Sequence, residues 1–395
     1  MASGGRPSLS FNFAAMPALD PRITFTRAST GTFFDSAGVL TSAANNAPRF
    51  DYNPSTLAAR GLLIEEARTN LVLQSENFAT TWGQSGSPTV STNTTVAPDN
   101  TTTGDTIGST ATGSYVFQSI TFTGDGTKAF SIFIKQGTST VNRLFVRDTT
   151  AGINRGLTDV TWTVGVPSVV VTNGSLLSLT QLSNGWYRVQ VAVDSVVAAN
   201  SNQLRIQPDT ATGTGTVILW GAQLENGAFP TSYIPTTTTA LTRAADVASV
   251  NTLSPWFNAT EGTLFAESSV NYTVPATFFP LAASLNDNSS NNRIEVGYLT
   301  TVVAGFEVSV GGVSQAGLYP STAAQVRRTA GAYAANDFAV STNSSAPTTD
   351  TSGSIPSVTR LALGTRTSGG TVIHLRRVTY YPRRLSNAEL QALTV

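Results

Sequence analysis

The sequence predicts an all-β protein of tandem β-sandwich domains of the jelly-roll type, with one short C-terminal helix. Three observations predict this class: apolar and polar residues alternate in many short runs, Gly and Asn turn signals separate the runs, and only the last residues show a helical pattern. The chain has 395 residues, of which 40% are hydrophobic and 12% charged. This length and balance favour two or three folded domains over a disordered chain.

Three regions follow one another along the chain. Residues 1–75 combine many turn signals with little periodicity, and we expect them to form an N-terminal arm or small β-domain that anchors or trimerises the chain. Residues 76–245 are expected to form a first β-sandwich and residues 246–395 a second one. The apolar run LLI at 62–64 has no evident local partner. Burial between chains would cover it, so we expect a homotrimer.

The clearest strands of the first sandwich precede residue 194. Three apolar runs there are separated by Asn173-Gly174 and Asn184-Gly185. Asn-Gly is the pair that a type I′ turn prefers, because both central residues need a positive φ. We therefore interpret this region as a three-stranded antiparallel meander.

A central strand and a terminal helix are also predicted. Residues 217–224 are apolar on both faces, which is typical of a strand covered on both sides and places Trp220 in a core. Near the end of the chain, Ser386 and Glu389 have the spacing of a capping box, which starts a helix.

Composition excludes several classes of function. Lys and Arg together number 23, as do Asp and Glu, so a nucleic-acid partner is not expected. No stretch reaches about 18 apolar residues, so membrane insertion is not expected either. The chain has no Cys and only His374, which excludes disulfides, thiolate chemistry and three-histidine metal sites. The sequence shows no signal-peptide pattern, and we expect synthesis in a cytoplasm.

Several segments resemble a known group of proteins. RITFTRASTGTFFDSAGVL and RGLLIEEARTNLVLQSENF resemble the opening of many bacteriophage and prophage head-spike or tail-fibre proteins. NGWYRVQVAV, ILWGAQLENGAFPTSYIPTT and LTRAADVAS resemble their carbohydrate-binding-module-like jelly roll, which corresponds to residues 76–245. VIHLRRVTYYPRRLSNAELQAL is similar to the closing strand and helix of concanavalin A-like, laminin-G-like lectin domains, which corresponds to residues 246–395.

The resemblance implies a homotrimeric virion fibre or spike that contacts the host surface or decorates the particle. Its implied partners are copies of itself, other virion proteins of the capsid or tail, and host-surface carbohydrate. Sandwich domains of this kind are reused for binding, packing and linking, so the resemblance does not specify a ligand.

No catalytic role is expected. Glycan hydrolysis needs two carboxylates flanking one bond, whereas the acids here are scattered, and the adjacent Glu65 and Glu66 would face opposite sides of a strand. No nucleophile elbow accompanies His374, which we expect to be a hydrogen-bonded structural residue. No cofactor is expected. Calcium at Asp287, within Asn286-Asp287-Asn288, is the one metal candidate left open, beside the alternative of an Asx-rich hairpin.

The parity of the strands predicts a candidate glycan-binding face. Outward-facing rings, arginines and glutamines alternate there with apolar residues that must face the core. If the strands are neighbours, one platform would collect Trp186, Arg188, Arg143, Phe145, Arg147, Gln203 and Arg205. The same side chains would suit a subunit interface, and this alternative stays open.

Charged residues suggest two further features. Four of them surround the apolar run of the arm and are expected to form one ion-pair cluster: Arg60, Glu65, Glu66 and Arg68. Later in the chain arginines occur in pairs, at Arg327-Arg328, Arg376-Arg377 and Arg383-Arg384. These pairs would suit either an acidic polysaccharide or the acids of a neighbouring chain.

Three functions remain open at this point. The first is a virion fibre or spike that binds host-surface glycan without catalysis, for attachment. The second is a purely structural capsid-decoration or tail-connector protein without a ligand. The third, for which the carboxylate constellation is missing, is a capsular polysaccharide depolymerase.

Overall fold

The computed structural model describes residues 5–270, 272, 280–298, 304–320, 326–365 and 372–395. The described residues form strands in antiparallel sheets and one short α-helix, which confirms the predicted all-β class with tandem sandwiches. Within the described ranges, no helix has the length and apolar character needed to cross a membrane.

The N-terminal region contributes seven short strands. They are β1 (Leu9–Asn12), β2 (Thr24–Thr26), β3 (Gly31–Phe34), β4 (Leu40–Ala43), β5 (Phe50–Tyr52), β6 (Ala59–Glu65) and β7 (Arg68–Asn70). Strands β3 and β4 form a hairpin by themselves.

The next twelve strands form a jelly roll of two six-stranded sheets. They are β8 (Gly83–Ser85), β9 (Thr89–Thr95), β10 (Gly104–Gly108), β11 (Tyr115–Ile120), β12 (Gly126–Gln136), β13 (Val141–Asp148), β14 (Ile153–Thr163), β15 (Val166–Thr172), β16 (Gly174–Gln181), β17 (Trp186–Val196), β18 (Asn202–Gln207) and β19 (Thr216–Asn226). One sheet has the order β16-β17-β12-β19-β10-β9 and the other β15-β14-β13-β18-β11-β8.

The remaining elements run to the end of the chain. They are β20 (Leu241–Arg243), β21 (Val247–Val250), β22 (Glu261–Ser269), β23 (Leu281–Asn286), β24 (Arg293–Tyr298), β25 (Ala304–Val310), β26 (Val313–Leu318), β27 (Val326–Ala334), β28 (Asp337–Thr342), β29 (Thr348–Asp350), β30 (Arg360–Leu363), β31 (Val372–Tyr381) and α1 (Asn387–Leu393). The predicted capping box is present, since the Ser386 hydroxyl and the Glu389 carboxylate each accept a hydrogen bond from the other residue's backbone N–H.

Four of the N-terminal strands, β1, β2, β5 and β6, belong to the sheets of the second sandwich, which we call the framework sandwich. One of its sheets has the order β29-β28-β27-β22-β31-β6-β5, with β1 also on β31, and the other has the order β2-β21-β30-β23-β24-β25-β26. Leu62, Leu63 and Ile64 on β6 are buried in its core within a single chain. The argument that another chain must cover them was therefore wrong, and the homotrimer stays a prediction.

The jelly roll is thus inserted between two parts of the framework sandwich. Strand β7 just before it pairs with β20 just after it, so the chain leaves and returns at one place. We expected residues 1–75 to form a separate arm or small β-domain. In the structure, four of their strands are instead part of the framework sheets. Each sandwich has its own apolar core.

The expected meander is half correct. Strands β16 and β17 pair across Asn184 and Gly185, which both have a positive φ as a type I′ turn requires. At the other turn only Asn173 has a positive φ, and β15 pairs with β14 in the opposite sheet. The chain crosses from one sheet to the other at that point instead of turning back.

The expected central strand is confirmed. Strand β19 lies between β12 and β10, and its two faces contact different apolar clusters. Leu219 and Leu224 pack in the jelly-roll core, whereas Trp220 packs in a cluster on the other side of the sheet.

Candidate functional site

Five of the seven predicted site residues share the outer face of one sheet, but Phe145 is only 6% exposed there, so its predicted exposure is wrong. Arg143, Phe145 and Arg147 lie on β13, next to Gln203 and Arg205 on β18. The register places Phe145 opposite Arg205 and Arg147 opposite Gln203. The intervening Leu144, Val146, Leu204 and Ile206 fill the jelly-roll core, as parity predicted. We call the outer side of the sheet β15-β14-β13-β18-β11-β8 the polar face.

The structure adds two aromatic residues to the polar face. Tyr115 and Phe117 on β11 are half-buried, and Phe117 is opposite Arg205. Their ring centroids are 5.8 Å apart. The ring of Phe117 lies over Gly83 of β8, where a Cβ atom would come within 2.5 Å of it. The alternation of Tyr115, buried Val116 and Phe117 was the sequence signal that could have identified them.

The arginines of this face are held in fixed positions. Arg205 lies 4.6 Å from the centroid of the Tyr115 ring and donates from Nε and Nη2 to Oε1 of Gln203, at 3.0 and 2.6 Å. Burial, together with the charge of Arg147, lowers the pKa of Arg205, partly opposed by Tyr115. Arg147 donates to Oδ1 of Asn154 at 2.9 Å.

A bidentate ion pair completes the face. Arg143 donates from Nε and Nη2 to the two carboxylate oxygens of Asp159, at 2.6 and 2.9 Å. The hydrogen bond to Asp159 raises the pKa of Arg143. Planar donors and acceptors therefore stand beside the half-buried rings of Tyr115 and Phe117, an arrangement that can bind both the hydroxyls and the C–H surface of a sugar.

The other two predicted residues, Trp186 and Arg188, are not on this face. They lie on β17 in the opposite sheet, and Trp186 is only 1% exposed. Its Nε1 donates to the carbonyl oxygen of Val96 at 2.9 Å. The alternation along the strand predicted the direction of both side chains correctly, because both point away from the jelly-roll core. Their exposure was predicted wrongly, because the β3–β4 hairpin and Tyr233 cover that side of the sheet.

Arg188 instead joins jelly-roll strand β12 to the segment that follows β19. Its Nη2 donates to Oγ of Ser131 at 3.0 Å and to the carbonyl oxygen of Thr231 at 2.8 Å. Burial lowers the pKa of Arg188, partly opposed by Glu225 and Glu65.

A buried ionic cluster lies where the two sandwiches meet. It consists of Arg27, Arg49, Glu65, Arg243 and Asp246, and we call it the junction cluster. Arg49 donates to Glu65 at 2.7 Å and also to Asp246. Arg27 reaches Asp246 at 3.0 Å and Arg243 reaches Glu65 at 2.9 Å. All five side chains are at most 1% exposed.

Electrostatics keeps the cluster charged. Burial by itself would raise the pKa of Glu65, but Arg243, Arg49 and hydrogen bonds from Ser232 outweigh it and lower that pKa to about 2. The carboxylate of Glu65 accepts from the backbone N–H and the hydroxyl of Ser232, at 2.7 and 2.6 Å. Because Ser232 follows the jelly roll in sequence, this carboxylate connects the two domains.

The four-charge cluster expected in the arm is divided among separate partners. Glu66 pairs with Arg68, Arg60 pairs with Asp51 at 3.2 Å, and Glu65 belongs to the junction cluster. The adjacent glutamates do take different partners, as expected for opposite sides of a strand.

His374 is buried and hydrogen-bonded, in agreement with a structural role. Its Nε2 lies 2.7 Å from Oδ2 of Asp51, whose carboxylate also accepts from the backbone N–H of Phe34 at 2.8 Å. Burial alone would raise the pKa of Asp51, but His374 and Arg60 lower it. The cavity beside this pair measures about 40 Å³, which holds a few waters and no sugar ring.

The remaining candidate residues have local partners. Asp287 accepts from the hydroxyl of Ser289 at 2.6 Å and from Asn292 at 2.8 Å, which are the bonds of an Asx-rich hairpin. In the described part of the chain, no group of three or more His, Cys, Asp or Glu residues is placed to hold a metal ion.

Comparisons with known proteins give only distant likenesses. No known protein family model and no curated protein matches the chain. The CBM40 module of a Ruminococcus gnavus IT-sialidase, bound to alpha2,6 sialyllactose, is 17% identical with a TM-score of 0.29, over 35% of this chain and 85% of that chain. Domains LG4-5 of the mouse laminin alpha1 chain are 10% identical with a TM-score of 0.24, over 81% and 92%. Trypanosoma rangeli sialidase is 10% identical with a TM-score of 0.28, over 74% and 60%. At these TM-scores the functional conclusion depends on the geometry of the chain itself.

Proposed function

We propose that the chain is a non-catalytic glycan-binding protein, and that the polar face of its jelly roll is the ligand site. The observation that carries this proposal is the half-buried pair Tyr115 and Phe117 beside the fixed donors of Arg205 and Gln203. Sugar rings present C–H groups to an aromatic surface and hydroxyls to planar polar groups. Both kinds of group occur here within two neighbouring strands.

We further propose that the chain is a virion fibre or spike, which attaches the particle to host-surface carbohydrate. The resemblance of the N-terminal and jelly-roll segments to phage fibre proteins supports this setting. An open face gives weak affinity for a single glycan, and several copies on one particle would restore it through avidity.

The absence of catalysis is part of the proposal. A glycosidase needs one protonated and one ionised carboxyl group across the scissile bond. Asp159, on the polar face, is engaged by both donors of Arg143. Elsewhere Glu267 contacts several arginines, and Glu307 pairs with Arg293. Each of these carboxylates therefore has its oxygens engaged by guanidinium donors of the chain itself.

One observation favours a second function, in which the polar face is a subunit interface of a structural protein. Val166 and Val170 on the edge strand β15 are 59% and 67% exposed. Val170 is opposite Asp159, so it adjoins the Arg143 pair. Exposed valines beside charged pairs are typical of a surface that packs against protein.

Glycan-array binding of two variants tests the proposal. We expect Tyr115→Ala and Arg205→Gln each to weaken binding by about tenfold, since each removes a stacking surface or a charge-assisted donor. Arg22→Gln is the matched control, because Arg22 is exposed, pairs with Asp20 and lies over the ring of Phe11, outside the polar face. The melting temperature and the oligomeric state should stay the same in all three variants.

Three results would contradict the proposal. Unchanged glycan binding in both variants would exclude the polar face as the ligand site. Dissociation of an oligomer in both variants would instead assign the face to a subunit interface. Release of oligosaccharides from a capsular polymer by the wild-type chain would identify a depolymerase.

A further inference from the structure

A row of charges crosses three strands of the framework sandwich, far from the jelly-roll strands. Arg328 on β27, Glu267 on β22 and Arg377 on β31 are directly opposite one another. We propose that these residues, together with Arg376, bind an oxyanion group of an acidic glycan. This second site is independent of the polar face and takes a different class of ligand.

A β-bulge brings Arg376 to the same side as the row. Glu267 is opposite Arg377 whereas Ser268 is opposite Leu375, so Arg376 is the extra residue of β31. A bulge changes the direction of a side chain. Arg376, which regular alternation would direct to the opposite face from Arg377, donates from Nε to Oε1 of Glu267 at 3.1 Å.

The bulge is supported by the neighbouring strand β6. Gly61 has a φ of +98°, and a Cβ atom there would lie 2.1 Å from the carbonyl oxygen of Leu375. Only glycine fits at this position without a backbone shift. Arg376 also donates from Nη1 to the carbonyl oxygen of Ala59 at 2.5 Å. The guanidinium of Arg376 is therefore positioned before any ligand arrives, which lowers the entropy lost on binding.

The charges of the row do not cancel. The carboxylate of Glu267 contacts Arg376 at 3.1 Å, Arg328 at 3.5 Å and Arg377 at 3.9 Å. One negative charge thus faces three positive charges. Among the described residues, the guanidinium groups of Arg328 and Arg377 make no other side-chain ion pair, and both are more than a third exposed. Nε of Arg377 is buried and its guanidinium lies 4.6 Å from the centroid of the Phe265 ring, so the terminal N–H groups of the two residues are the ones available to an oxyanion.

The surroundings suit a sugar that carries the oxyanion. Open grooves of about 390 Å³ each lie on either side of the row, a volume in the range of small-ligand sites. Asn53 and Ser269 line one groove and Asn12 the other, so amide and hydroxyl groups are present for sugar hydroxyls. The zero net charge of the chain disfavours a long polyphosphate such as a nucleic acid.

Binding of the full chain to dextran sulfate and to uncharged dextran tests the site. We expect the sulfated polymer to bind at least about tenfold more tightly, and Arg328→Gln to remove about tenfold of that affinity. Arg22→Gln, an exposed arginine paired with Asp20, is the control that should keep wild-type affinity. Polygalacturonate replaces sulfate by carboxylate and shows which oxyanion the site prefers.

Glu267→Gln gives a second measurement, in which affinity should change in the direction opposite to that of Arg328→Gln. Loss of the competing carboxylate should increase affinity for the sulfated polymer several-fold, whereas a purely structural Glu267 would give a decrease or no change. Equal binding of dextran and both acidic polymers, or equal affinities of Arg328→Gln and Arg22→Gln, would overturn the proposal. Either result leaves the proposal for the polar face unaffected, because that site is tested separately with Tyr115→Ala.

Discussion

The junction cluster and the polar face are both built on arginine but differ in their access to water. In the junction cluster, Arg49 is fully buried and contacts two carboxylates. On the polar face, Arg205 is half-exposed and contacts a glutamine and a tyrosine ring. The same side chain therefore holds two domains together in one region and presents donors to solvent in the other.

The difference teaches how to recognise a ligand site in an arginine-rich sandwich. A buried guanidinium with carboxylate partners has no donors to offer, and removal of one partner leaves an uncompensated charge. A guanidinium held by neutral groups keeps its charge available to a ligand. The identity of the partners, more than the number of arginines, separates the two roles.

The largest expected effect would come from breaking the junction cluster. Arg49→Gln leaves Glu65 and Asp246 buried without their shared cation, and we expect the free energy of unfolding to fall by about 5 kcal/mol. Urea denaturation measures this change. Arg22→Gln, a surface pair, should change it by less than about 1 kcal/mol. Equal losses in the two variants would remove the distinction between the two regions.

The next effect concerns the tryptophan that sequence parity placed on the glycan-binding face. Trp186→Ala should lower the free energy of unfolding by about 4 kcal/mol, because it opens a cavity beside Phe133 and Tyr233. Tyr115→Ala, on the polar face itself, should lower it by less than about 1 kcal/mol. Thermal unfolding of the two variants compares them, and a stable Trp186→Ala protein with weakened glycan binding would restore the original placement.

The smallest effect is a pH dependence. The pKa of Glu65 falls from the ordinary 4.5 to about 2 in the folded chain. Its contribution, about 3 kcal/mol, is therefore fully present above pH 4.5 and is lost as the pH falls towards 2. Glu65→Gln should reduce the slope of stability against pH in this window. Glu389→Gln removes a similar pKa shift from the more exposed terminal helix and should change the slope less. Identical slopes in Glu65→Gln and the wild-type chain would contradict this prediction.

Sequence alone predicted the local features of the fold. Alternation assigned Leu204 and Ile206 to the core, and the same parity placed Arg143 and Arg205 on a shared face. These inferences succeed because the direction of a side chain depends only on its own strand. The capping box of the terminal helix is local in the same way.

Long-range pairing could not be predicted from these patterns. The face that carries Trp186 is covered by a hairpin from the N-terminal region, far away in sequence. The crossover at Asn173 depends on one backbone angle that the Asn-Gly pair does not specify. The bulge at Arg376 likewise exists only in the context of Gly61 on another strand. Each of these features is a property of two segments together.

The contact between Asp51 and His374 can form only late in the synthesis of the chain. The two residues are 323 positions apart, and a ribosome that adds roughly 5–20 residues per second needs roughly 15–65 s to cover that distance. During this interval the whole jelly roll is synthesised and can fold, while β6 still lacks its partner strand β31. A nascent chain can therefore pair β6 with β5, but the other edge of β6 stays open beside a finished domain until β31 has been made.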